Sequence, residues 1–100
     1  MRAALRADGQ PISMKPFVEA FLARVAQAIL ESLKGTQGAT RAVFSIKGKR
    51  LELSVNETPL DLHIDRGFAE VIARDTIMGA LSHLRGLRGK EEIQLEVDLR

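Results

Sequence analysis

Apolar residues between Pro16 and Lys34 recur at a helical period: Phe17, Phe21, Val25, Ile29 and Leu33 fall on every fourth position, and Val18, Leu22 and Leu30 widen the stripe. This spacing predicts a helix with Pro16 in its first turn, where a missing N–H costs nothing, and Gly35 as its C-terminal cap. From Thr40 the period drops to two. Ala42, Phe44 and Ile46 share one side of a predicted strand, and Arg41, Val43, Ser45 and Lys47 the other. Leu51, Leu53 and Val55 resume the alternation after Gly48-Lys49, a two-residue loop whose leading glycine suits a type II′ hairpin. That turn sets Lys47 opposite Arg50, Ile46 opposite Leu51, Phe44 opposite Leu53 and Ala42 opposite Val55, so inward residues meet inward residues.

A second helix is predicted from Asp65 to Arg85, N-capped by Asp65, closed by Gly86, and apolar along Phe68, Ile72, Ile77, Ala80, Leu81 and Leu84. The last strand, Glu91 to Leu99, turns Ile93, Leu95, Val97 and Leu99 inward and Glu92, Gln94, Glu96 and Asp98 outward. Propensity leaves Arg2 to Ala7 undecided, because Ala3, Leu5 and Ala7 are weak strand residues.

An internal repeat decides it. A shift of 51 residues lays Phe17–Lys47 over Phe68–Asp98, with identities at Phe17/Phe68, Glu19/Glu70, Leu30/Leu81, Leu33/Leu84, Gly35/Gly86 and Gly38/Gly89. With a shift of 48, Ala3, Leu5, Ala7 and Pro11 match Leu51, Leu53, Val55 and Pro59. Each copy reads strand, proline-containing loop, helix, Gly-x-x-Gly turn, strand. The expectation is therefore one α+β domain over residues 1–100, made of repeats 1–48 and 49–100. Its form would be a ferredoxin-like βαββαβ sandwich, an antiparallel sheet with two helices on one face. The strand order would be 4-1-3-2, with Arg2–Ala7 and Leu51–Val55 at the centre and Arg41, Lys47, Lys49 and Arg50 guarding an edge.

Composition trims the functional possibilities. The chain has no cysteine, hence no disulfide framework and no thiolate metal site. There is no apolar run of membrane-spanning length and no signal-like start, which leads to the expectation of a soluble, cytoplasmic protein. Fifteen basic against thirteen acidic residues give a net charge of only +2, and the four aromatics are all phenylalanine, three of them at expected core positions. A nucleic-acid binder would show a basic stripe with stacking rings, so that class is disfavoured.

Candidate chemistry is sparse. The Gly-x-x-Gly turns follow helices rather than precede them, so they sit at carbonyl-rich ends and read as caps, not phosphate loops. Asp61-Leu62-His63-Ile64-Asp65 places a histidine between two carboxylates, but three or four ligands would be needed for a metal, and no metal or cofactor is expected. Asp75 and Thr76 lie midway along the second helix near its buried edge, and Gly79, costly in a helix interior, suggests close approach of a neighbouring helix or partner. On the outer sheet face, opposed charges with small residues such as Ala4, Val43, Ser45 and Ser54 suit sheet-to-sheet dimerisation or docking of a protein partner, and equally plain solvation.

Gly9-Gln10-Pro11-Ile12-Ser13-Met14-Lys15-Pro16-Phe17-Val18, followed by Ser32-Leu33-Lys34-Gly35, resembles a short C-terminal extension of MobB-type proteins of molybdopterin-guanine dinucleotide biosynthesis. Val55-Asn56, Phe68, Thr76-Ile77-Met78-Gly79 and Leu84-Arg85-Gly86 are a second, similar copy. The family's GTPase domain has no counterpart here, so the resemblance implies no nucleotide hydrolysis. It implies an accessory or assembly role near molybdenum-cofactor maturation, carried out without catalysis. The alternative, from a different class, is a small-molecule sensor with its ligand between the helices and the 61–65 loop. A third reading is an enzyme using His63 with Asp61 or Asp65.

Overall fold

A computed structural model describes residues 1–33, 36, 38–60, 68–82, 84–87 and 89–100. The elements run β1 (Arg2–Ala7), β2 (Gln10–Ile12), α1 (Pro16–Ser32), β3 (Arg41–Lys47), β4 (Arg50–Val55), β5 (Thr58–Leu60), α2 (Phe68–Leu81) and β6 (Glu92–Asp98), with a 3-10 turn at Arg85–Leu87. The fold is α+β: an open six-stranded sheet, antiparallel throughout, with two helices. Arg2–Ala7 is a strand, as the repeat required, and the β3–β4 hairpin has the expected register. Gly48 takes φ +61° while Lys49 is not left-handed, as a type II′ turn demands.

The strand order, β2-β1-β6-β3-β4-β5, departs from the expected 4-1-3-2. The centre is the pair β3 and β6, joined through Ala42–Val97, Phe44–Leu95 and Ile46–Ile93. Two short strands explain why. Gln10–Ile12 and Thr58–Leu60, expected as loops because of Pro11 and Pro59, fold back as β2 on β1 and β5 on β4 through two-residue turns. Both sides of β4 are then filled, by β3 and β5, and β1 cannot pair with it. Arg41 and Lys47 are therefore central rather than edge residues. The outer strands are protected instead by being three residues long with a proline at the middle.

Both short hairpins have the two positive φ angles of a type I′ turn: Asp8 (49°) with Gly9 (81°), and Asn56 (50°) with Glu57 (69°). Asp and Asn are the non-glycine residues that enter that region most readily, and here both side chains reach across to a neighbouring segment. Asp8 Oδ1 accepts the backbone N–H groups of Glu91 (3.0 Å) and Glu92 (2.8 Å). Asn56 Oδ1 accepts those of Thr40 (2.9 Å) and Arg41 (3.1 Å). In each case the residue's own N–H donates to the carbonyl of the same strand, Glu92 or Arg41, at 2.8 Å. The two halves thus use equivalent residues for equivalent bonds.

The core lies between sheet and helices, with Phe44, Leu22, Ile77, Leu81, Leu95 and Val97 fully buried. In α1 the face on the sheet is Leu22, Ala23, Ala26 and Leu30. Small alanines let the helix lie close to the strands. The period of the first helix was legible, but the buried face is rotated about one residue from the Phe17–Phe21 stripe. Helix α2 is shorter than the expected span, buries Ala73, Ile77 and Leu81, and leaves Ile72 half exposed. Gly86 belongs to the 3-10 turn, not to the end of α2, and the Gly35 and Asp65 caps lie outside the described residues.

Candidate docking surfaces

The bonded register arranges the open sheet face in rows. Ala4, Glu96, Val43 and Ser54 form one, and Arg6, Gln94, Ser45 and Glu52 the next. The four small residues singled out in the sequence therefore do come together, but with Glu96 between Ala4 and Val43. Glu52, Ser54 and Asn56, expected beside β1 on this face, lie beyond β6 and β3 instead, and the acidic row of β6 runs between β1 and β3 rather than along an edge. Charge now alternates by strand. Arg41 reaches Glu96 at 2.7 Å and Glu57 at 3.6 Å. Ser45, Lys47, Arg50, Glu52, Glu92 and Gln94 line a polar hollow of about 450 Å³ at one end. This is a hydrated, largely self-neutralised surface.

At the two places where β1 and β4 lack an outer partner, a helix glutamate covers the bare edge. Glu70 Oε1 accepts the Leu51 N–H at 2.9 Å and lies 3.5 Å from Arg50 Nε. Glu19 Oε2 accepts Arg2 Nε at 2.8 Å, and the Ala3 backbone N–H nearby also favours the ionised carboxylate. The Arg2 hydrogen bond is the main cause that holds the Glu19 carboxyl below its ordinary value of 4.5. A folded-state pKa below the unfolded one means that the contribution is present above the unfolded value and fades as pH falls through the folded one. Glu19→Gln is expected to flatten the loss of melting temperature between neutral pH and about pH 3; an unchanged acid limb would contradict this latch.

The helix layer has the opposite character. Phe17 is 79% exposed and Phe21 49%, although both were expected in the core; their rings stack at 6.4 Å between centroids. Val71 (51%) and Ile72 (48%) are exposed on α2. Beside them an apolar groove of about 520 Å³ runs between the helices, with Val25, Ile29 and Leu33 on one wall and Ile72, Ala73 and Thr76 on the other. Single exposed apolar residues are ordinary; here four exposed ones and an apolar groove share the same two helices.

Of the other candidate residues, Thr76 lines this groove, whereas Asp75 is exposed and pairs with Arg74 at 2.7 Å. Neither lies at a buried edge, because α2 presents Ala73 and Ile77 to the sheet instead. Among the described residues nothing comes within 4 Å of where a side chain at Gly79 would begin, so none of them needs the glycine for a close approach. Asp61, His63 and Asp65 lie outside the described residues. Among the described residues no cluster of three metal-ligating side chains occurs, and no helix is long and apolar enough to cross a membrane. The hydroxyls of Ser32, Thr36 and Ser82 donate to backbone carbonyls near helix ends.

Searches against family models, curated proteins and solved structures match this chain to none of them.

Proposed function

We propose that this chain is a non-catalytic assembly domain, built by duplication of a ββαβ unit, that docks a protein partner through its helix layer. The observation that carries the reading is the exposed Phe17–Phe21 pair beside an apolar groove. Burying such surface is the main favourable term in association. The duplication is supported by the paired type I′ turns, the Asp8 and Asn56 bonds, and the Glu19 and Glu70 edge latches. Docking through the open sheet face, at Ala4, Val43, Ser45 and Ser54, would instead bury the Arg41–Glu96 pair and its neighbours, at a desolvation cost that the small residues offset poorly. The setting we propose is molybdenum-cofactor maturation in the cytoplasm, and it rests on the sequence resemblance alone.

Replacing Phe17 or Val43 in turn by a photo-cross-linking phenylalanine analogue, in cells making the chain, tests the docking surface. Discrete protein adducts are expected from position 17 and not from position 43. Adducts from position 43 alone, or from neither, would overturn the reading.

A second reading has one observation in its favour, the groove's volume of about 520 Å³, within the roughly 300–1,000 Å³ of small-molecule sites. It makes the chain a sensor of a largely apolar ligand. A thermal-shift screen that raises the melting temperature in the wild type but not in Thr76→Trp would favour it.

A further inference from the structure

We infer that the strand edges joining the two halves of this sheet are a binding surface for a second copy of the chain, and that two copies exchange halves across it. Residues 1–48 of each copy then pair with residues 49–100 of the other, independently of anything docked on the helix layer. Every long pairing in the sheet already runs between the halves. β1 meets β6 over six positions, β3 meets β4 over six and β3 meets β6 over seven. The pairings inside a half, β1 with β2 and β4 with β5, cover three each. Among the described residues neither β3 nor β6 has a strand partner in its own half. The turns repeat this crossing, since Asp8 Oδ1 accepts the Glu91 and Glu92 N–H groups and Asn56 Oδ1 those of Thr40 and Arg41. A half on its own leaves the backbone groups of its last strand unpaired, which makes another half its natural partner.

The covalent link does not set the register. Gly48-Lys49 joins β3 to β4, with Lys47 opposite Arg50, Ile46 opposite Leu51 and Ala42 opposite Val55. No turn joins β1 to β6, yet Arg2 lies opposite Asp98, Ala3 opposite Val97 and Ala7 opposite Ile93, which is the equivalent register. The β3–β6 pairing, centred on Phe44 and Leu95, also forms without a turn. A half supplied by another chain therefore meets the same edges in the same register, with the inward residues matched as before. Exchange alters only the hinge, where Gly48 gives up its φ of +61° for an extended link. Reciprocal exchange closes on itself as a two-fold dimer with no strand left over. What it forfeits is the high effective concentration of two halves on one chain, so it is favoured when folding occurs at high protein concentration.

Two full-length variants, each disabled in one half, test the inference. Leu22→Asp and Ile77→Asp put an unpaired carboxylate at positions that are 0% exposed, one on α1 and one on α2, and each is expected to be unfolded alone. Refolded together from urea at about 200 µM, they are expected to give a one-to-one heterodimer with roughly half the wild-type helical circular dichroism. The intact first half of one chain then completes the intact second half of the other, as exchange requires. A mixture whose spectrum is the average of the two refolded separately, with no heterodimer in sedimentation, would overturn it. Gly48→Val gives a second measurement that needs neither variant. A β-branched residue is disfavoured at positive φ and suited to an extended link, so the dimer fraction after refolding at that concentration should rise several-fold over wild type. A Gly48→Val chain that is wholly monomeric or unfolded would also overturn it.

Discussion

Phe44→Ala is expected to lower the unfolding free energy by about 3–5 kcal/mol, whereas Phe17→Ala is expected to change the monomer's stability by no more than about 0.5 kcal/mol. Phe44 is 0% exposed in a central strand, opposite Leu53 on one side and Leu95 on the other. Truncation leaves a cavity that strands paired on both sides cannot collapse. Since a domain of this size has only about 5–15 kcal/mol in total, the variant should be largely unfolded at modest urea concentrations. Phe17 is 79% exposed and loses little in the isolated monomer. Urea titrations of the two variants, with the Phe17 measurement at a protein concentration low enough to keep it monomeric, check the contrast. Similar losses at both positions would mean that Phe17 is packed, and the docking surface would disappear with that result.

Glu70→Ala is expected to cost about 2–3 kcal/mol, and Glu70→Gln about 1 kcal/mol or less. The Glu70 side chain is 10% exposed, and its Oε1 holds the N–H of Leu51, a residue 3% exposed. Alanine strands that N–H at an edge where β5 does not reach, since β5 pairs only with Leu53–Val55. Glutamine retains the acceptor for the Leu51 N–H and loses the charge toward Arg50. Chemical denaturation of the two variants separates these effects, and hydrogen exchange at Leu51 should accelerate in alanine alone. Equal costs would assign Glu70 a role through charge rather than through the edge N–H. Glu19→Ala, at the more exposed of the two edge contacts, should cost less.

The parts of the fold legible in the sequence are those set by local pattern. Period two found β3, β4 and β6, and the Gly48-Lys49 loop length fixed their hairpin register. The repeat recovered β1, which propensity would have missed. The order of strands was not legible, because it depended on two three-residue strands whose prolines read as loop residues. A signal for the first was present: Asp8-Gly9 is a favoured type I′ pair, and Asn56-Glu57 occupies the equivalent position. Once β2 and β5 are recognised, β4 has no free side and the order follows.

The candidate site was legible as residues but not as a surface. Phe17, Phe21 and Ile72 belong to apolar stripes, and periodicity alone cannot say which of two adjacent stripes faces the sheet. The alanines at positions 23 and 26 carried the missing information, since close packing on a sheet favours small residues. Ala4, Val43, Ser45 and Ser54 were correctly grouped on one face. The pairing of charges on that face depended on β6 lying between β1 and β3, beside Arg41, rather than at an edge.

Photo-cross-linking from position 17 set against position 43, in cells making the chain, tests docking through the helix layer most directly. Discrete protein adducts are predicted from position 17, where Phe17 is exposed, and none from position 43 on the sheet face. Adducts from position 43 alone, or from neither position, would contradict it.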